Sequence, residues 1–132
     1  MESLTSVKDF EVVASRNLPK AAYDYYRSGA NASVSLHDNE YAFRKMHLKT
    51  RVFSQPSAKT GITLDTTILG IPVQTPICIA STAFHKMATP EGELATARAA
   101  QAYLKTPLKL SSWATTPLED VAAQAPDCLK FF

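Results

Sequence analysis

Beyond Pro76 the chain alternates short apolar runs with strong helix starts, and this pattern limits the fold most. Ile77-Cys78-Ile79-Ala80 is apolar throughout, without alternation. Its shortness and its proline boundary favour a buried strand over a helix. Thr89-Pro90-Glu91 supplies a hydroxyl cap, a proline at the first helical position and an acid near the positive helix end. The Ala-rich stretch 93–103 that follows is a strong helix former. Residues 108–112 read as a second strand. Thr116-Pro117-Leu118-Glu119 is a capping box with a proline inside it, which predicts a helix over 117–125. Residues 129–132 begin a third strand. The order βαβαβ predicts an α/β fold with parallel strands and right-handed crossovers.

The preceding 75 residues read differently. Ser6 with Asp9 resembles a capping box for a helix over 6–16, with Val7, Phe10 and Ala14 on one face. Pro19 restarts the chain in a second helix to Ser28, and Gly29 suits its C-cap. Ser35 and Asp38 suggest the cap of a third helix ending near Lys45. Residues 47–53 alternate as a half-exposed strand, Ile62-Thr63-Leu64 follows the Ser/Pro/Lys/Gly stretch 54–61, and Gly70 suits a hairpin turn between Ile68-Leu69 and Ile71-Pro72-Val73. The expected organisation is 1–75 as helices and capping strands, followed by 76–132 as the βαβαβ units.

Composition excludes several classes. Apolar residues make up 45% and charged residues 20%, which argues against disorder and against a coiled rod. The net charge of +2 gives no strong pull toward nucleic acid or an anionic membrane. The basic run from Arg44 to Arg51 lacks a nucleic-acid motif and reads as a solvated face. Glycines at 29, 61, 70 and 92 cannot form G-x-G-x-x-G or a Walker loop, and His37, His47 and His85 lack metal-ligand spacing. Cys78 and Cys128 are too few for a disulfide framework and are expected as reduced core thiols of an intracellular protein. No signal peptide and no transmembrane stretch is visible. The length of 132 residues suits one domain. A complete (β/α)8 barrel typically takes about 250 residues, so a complete one is not expected.

In a βαβ protein ligands collect where strands end and helices begin. Two such loops exist, Ser81–Met87 and Ser112–Thr115. Ser111 and Ser112 are placed to hydrogen-bond a heterocycle or phosphate, and Trp113 to wall a pocket. A serine after a strand also serves as a turn residue, and a tryptophan also packs a core. His85 and Lys86 read as solvated surface, and Tyr25 and Tyr26 as core anchors.

Several blocks, in order, resemble one family. They are Leu18-Pro19-Lys20, Tyr23-Asp24-Tyr25-Tyr26-Arg27-Ser28-Gly29-Ala30, Thr66-Thr67-Ile68-Leu69-Gly70, Pro76 to Ala83, Met87 to Ala100, and Leu110-Ser111-Ser112-Trp113-Ala114-Thr115. Together they resemble the amino-terminal part of the FMN-dependent 2-hydroxy acid oxidases and dehydrogenases. That resemblance implies part of an FMN-binding TIM (β/α)8 barrel, incomplete in this chain. It implies FMN as cofactor and oxidation of a small (S)-2-hydroxy acid, such as glycolate or lactate, to the 2-oxo acid. In oxidase members O2 becomes hydrogen peroxide. It also implies a homo-oligomer and a peroxisomal or cytoplasmic location, with no nucleic-acid or membrane partner.

Residue by residue, Tyr25 resembles the tyrosine that binds the substrate carboxylate, and Trp113 the tryptophan that shapes the substrate pocket. The backbone of Ala80, Ser81, Thr82 and Ala83 resembles the loop lying against the flavin. Ser111 resembles the serine that hydrogen-bonds the flavin ring. Ser81 stands where the family usually has proline. The stretch Tyr103 to Leu110 departs from the family's glycine turn, and Lys109 looks awkward for a buried strand. No residue here resembles the family's catalytic histidine or its carboxylate-gripping arginines. The alternative is therefore a catalytically inactive partial barrel that associates with a complementary fragment or subunit.

Overall fold

The computed structural model describes residues 4–50, 61 and 63–132. It divides into two compact units, Met1–Gln55 and Pro56–Phe132.

The first unit holds three helices, α1 (Val7–Asn17), α2 (Lys20–Arg27) and α3 (Val34–Tyr41), and then a 3-10 turn over Ala42–Lys45. The Ser6 backbone N–H donates to Asp9 Oδ2 at 2.8 Å, as the sequence leads one to expect. The start of α3 differs from expectation. Its N-cap is Ser33, held left-handed at φ 58°, so Ser35 and Asp38 lie inside the helix. Gly29 lets this turn close, because a Cβ there would sit 2.8 Å from Ser33 Oγ. The expected strand over 47–53 does not form over 47–50, and 51–53 lie outside the described residues. Leu48 is 95% exposed, and a half-exposed alternation forms no strand without an edge to pair with.

The second unit opens with an antiparallel hairpin of β1 (Thr66–Ile68) and β2 (Ile71–Val73), paired Thr66↔Val73 and Ile68↔Ile71. Leu69 and Gly70 both take positive φ, 51° and 79°, which matches the right-handed twist of the strands. No strand forms over 63–65, and Ile62 lies outside the described residues. Next come α4 (Glu93–Ala102), β3 (Leu108–Lys109), α5 (Leu118–Gln124) and β4 (Lys130–Phe131). β3 pairs with β4 in parallel, Leu108↔Lys130. The expected strand 77–80 shrinks to a parallel bridge at Ile79, whose N–H donates to Pro107 O at 2.8 Å and whose carbonyl accepts from Lys109 N at 2.9 Å. The three parallel segments follow the sequence pattern, and the fold is α/β.

The core of this unit is Ala97 and Ala100 of α4, Leu108 of β3, Val121 of α5, Ala125 at its carboxyl end, and Cys128. Alanines at these positions let both helices approach the strands closely. Leu108 points to the helices, so alternation turns Lys109 to the opposite face, where it is exposed. That removes the desolvation cost expected for a lysine in this strand. Pro107 is buried just before β3 and lends only its carbonyl to the pairing. Cys128 is a core thiol, and burial raises its pKa. Cys78 is not: it is exposed, because its stretch pairs at Ile79 alone.

Candidate functional site

The carboxyl ends of two adjacent parallel segments carry the site. Ala80, Ser81 and Thr82 follow Ile79 and are exposed, and Ala83 is half-buried. Ser111 follows β3 by two residues. A cavity of about 20 Å³, the size of one water, lies under both loops and touches Ala80, Thr82 and Ser111. Ser111 Oγ accepts from Trp113 N at 3.1 Å, which leaves its hydroxyl proton to donate. The Trp113 carbonyl accepts from Phe84 N at 3.1 Å, and the two rings stack with centroids 5.7 Å apart. Trp113 remains 63% exposed, so it stands as a wall beside the loops and not as core.

Beneath these loops sits a buried carboxylate that the sequence patterns do not mark. Glu93, at the start of α4, is 3% exposed. Its Oε1 accepts from Thr115 N at 2.8 Å and from His85 N at 3.2 Å. Its Oε2 accepts from the Thr116 hydroxyl at 2.6 Å and from the Thr115 hydroxyl at 2.8 Å. Burial pushes this carboxyl up. The hydrogen bonds from Thr116 and Thr115 outweigh it and hold the pKa down at about 2. Thr116 is thus not the helix cap its capping-box pattern suggests, and α5 starts after Pro117 without a side-chain cap. The start of α4 also shifts from Pro90 to Glu93, with Thr89 to Gly92 in a turn. Gly92 takes φ 57°, and a Cβ on it would lie 3.3 Å from Thr116 Oγ1. His85 is half-buried, with Nδ1 3.3 Å from Thr96 Oγ1, so it is not the solvated surface residue expected from sequence. The clue in the sequence is a Gly-Glu pair at a helix start facing a Thr-Thr pair in the next loop. Glu91, which looked like the first-turn acid, is exposed and pairs with Arg98.

Residues 14–132 match the family of FMN-dependent dehydrogenases. The chain belongs to that family. Over 129 residues it is 46% identical to glycolate oxidase of Spinacia oleracea, covering 98% of this chain and 34% of that protein. Human 2-hydroxyacid oxidase 1 is 45% identical over 97% of this chain and 34% of its own length. The recombinant flavin-binding domain of baker's yeast flavocytochrome b2 superposes with a TM-score of 0.86 at 30% identity, over 96% of this chain and 33% of that one. A lactate oxidase of Pediococcus acidilactici gives 0.85 at 26% identity, over 99% and 36%. The chain therefore spans about a third of its relatives. FMN is the cofactor of the family.

The second unit fits a flavin in its donor chemistry. Among the described residues, the backbone N–H groups of Ser81, Thr82 and Ala83 form no protein hydrogen bond, so they remain available to a ligand's acceptor atoms. The Ser111 hydroxyl stands beside them, and small side chains leave the shelf open. The shelf is a surface and not a closed pocket, and the cavity beneath it is water-sized. Ala80, Ser81, Thr82, Ala83, Ser111 and Trp113 all belong to the second unit. Tyr25 belongs to the first, where it is 39% exposed and its ring meets Tyr26 edge-on at 5.4 Å. A larger open trough of about 1010 Å³ lies among α1, α2 and α3, and no candidate site residue lines it.

Proposed function

We propose that residues 76–132 form the first strands of an FMN-binding (β/α)8 barrel, after an amino-terminal segment 1–75 of helices and capping strands. In the whole protein they serve the oxidation of a small (S)-2-hydroxy acid, such as glycolate or lactate, to its 2-oxo acid with O2 reduced to hydrogen peroxide. The observation that supports this best is the joined pair of strand-end loops, Ala80–Ala83 and Ser111–Trp113, held side by side by the Phe84 and Trp113 contact. FMN, when bound, supplies the two-electron acceptor. The backbone N–H groups of 81–83 and the Ser111 hydroxyl hold it in place. Trp113 gives the substrate an apolar wall, and the Tyr25 hydroxyl donates to its carboxylate. The relatives' names support a 2-hydroxy acid as substrate, and the peroxisomal or cytoplasmic setting rests on the family resemblance alone.

A second function is supported by the exposed face carrying Lys109 and by open strand edges. The chain would then lack catalysis and associate with a complementary part of the barrel or a full-length subunit, as unpaired edges favour. One experiment separates the two. Purified chain is titrated with FMN, and flavin absorbance and peroxide from glycolate are read. Bound flavin with peroxide supports the enzyme. Bound flavin without peroxide supports the inactive partial barrel. A folded chain that takes up no flavin sinks the flavin assignment.

A further inference from the structure

We infer that Glu93 is a positioning residue that fixes the two strand-end loops against each other, so that both present their donors to one ligand. It hydrogen-bonds none of the shelf residues and lines the water-sized cavity beneath them. Its carboxylate instead gathers donors from two loops distant in sequence, His85 in the first and Thr115 and Thr116 in the second. The Thr115 hydroxyl extends the link: it donates to Glu93 and accepts from Lys86 N at 3.2 Å. Each loop is therefore tied to the same carboxylate and to the other loop. A glutamate serving only the helix dipole has no reason to be buried, and Glu93 is 3% exposed. The position is also prepared for close approach. Gly92 has no Cβ to hold off Thr116, and no buried side-chain nitrogen or oxygen among the described residues lacks a partner.

Two rigid donors a fixed distance apart bind a planar heterocycle better than two independent ones, because less is lost in ordering them. The ligand part of the inference rests on the flavin assignment above, whereas the loop lock stands on geometry alone. The test uses the full chain and two variants. Glu93→Gln keeps the size but puts an amide in place of one acceptor oxygen. Val121→Ala weakens the core under β3 and removes no hydrogen bond from either loop. Both are measured at a temperature where thermal melts show them folded. Amide exchange is read by NMR without FMN, and FMN affinity by quenching of flavin fluorescence.

The expected result is at least tenfold faster exchange of the Thr115 and His85 amides in Glu93→Gln, with α4 amides unchanged, and at least fivefold weaker FMN binding. Val121→Ala is expected to leave FMN affinity within twofold. Equal loss of affinity in both variants, or exchange that rises uniformly through the unit in Glu93→Gln, overturns the positioning role. If folded wild-type chain takes up no FMN, the flavin assignment fails. The exchange pattern then decides the loop lock alone, with a local rise supporting it and a uniform rise overturning it.

Discussion

Replacing Leu108 with alanine tests whether the site rests on the small core described here. Leu108 is 3% exposed and packs among Ala97, Ala100, Val121, Ala125 and Cys128. Removing its outer carbons forfeits their transfer free energy, about 2 kcal/mol. A cavity term adds to this, because the alanines around it have no side-chain freedom with which to fill the space. The half-buried Ile79, Leu94 and Leu110 can lean inward, which keeps the total near 3 kcal/mol, the lower part of the usual range. At about 0.1 kcal/mol per residue, unit Pro56–Phe132 has about 8 kcal/mol to lose. Trp113 is the single tryptophan and lies in this unit, so its fluorescence in urea reports the unit directly. With a urea slope of about 1 kcal/mol/M the midpoint should fall by about 3 M. A loss below about 1 kcal/mol would refute the reasoning, since it would mean that β3 is not held by α4 and α5.

Other outcomes follow from single features. Glu93 has a depressed folded pKa, so its contribution is fully present above the ordinary value of 4.5 and is lost as pH falls through about 2. This amounts to about 3 kcal/mol between about pH 5 and pH 2, and urea midpoints of Glu93→Gln should show a flatter acid limb than wild type. Gly92→Ala should destabilise by about 1–2 kcal/mol in the same urea assay, because φ 57° disfavours a Cβ and Lys86 Cγ would sit 2.8 Å from it. Ser111→Ala should weaken FMN by about fivefold in a fluorescence titration, the loss of one hydrogen bond of about 1 kcal/mol, with the fold intact by circular dichroism.

Much of this architecture is legible in the residues, and the losses have physical causes. The α4 and α5 stretches, the Gly70 turn and the strand near 108 follow from alanine runs, helix-starting prolines and a positive-φ glycine. Residues 47–50 depart from expectation because alternation states only that a strand is possible, and no described strand pairs with them. Thr116 departs from expectation because a hydroxyl before Pro117 is a local signal for a cap, whereas it donates its hydrogen bond to a carboxylate 23 residues earlier. Glu93 escaped notice for the same reason: its partners are close only in the folded unit. The strand-end loops and Ser111 as a donor are legible from position alone, whereas the flavin role of the Ala80–Ala83 backbone comes only from resemblance, since small residues at a strand end carry no distinctive chemistry.

We assign the flavin seat to the loops after Ile79 and β3. Amide chemical-shift mapping of the full chain during FMN titration tests it most directly. Saturable shifts at Ser81, Thr82, Ala83, Ser111 and Trp113, with those of α1 to α3 unmoved, are the expected result. Shifts centred on the trough among α1, α2 and α3, or none at all in a folded chain, would contradict it.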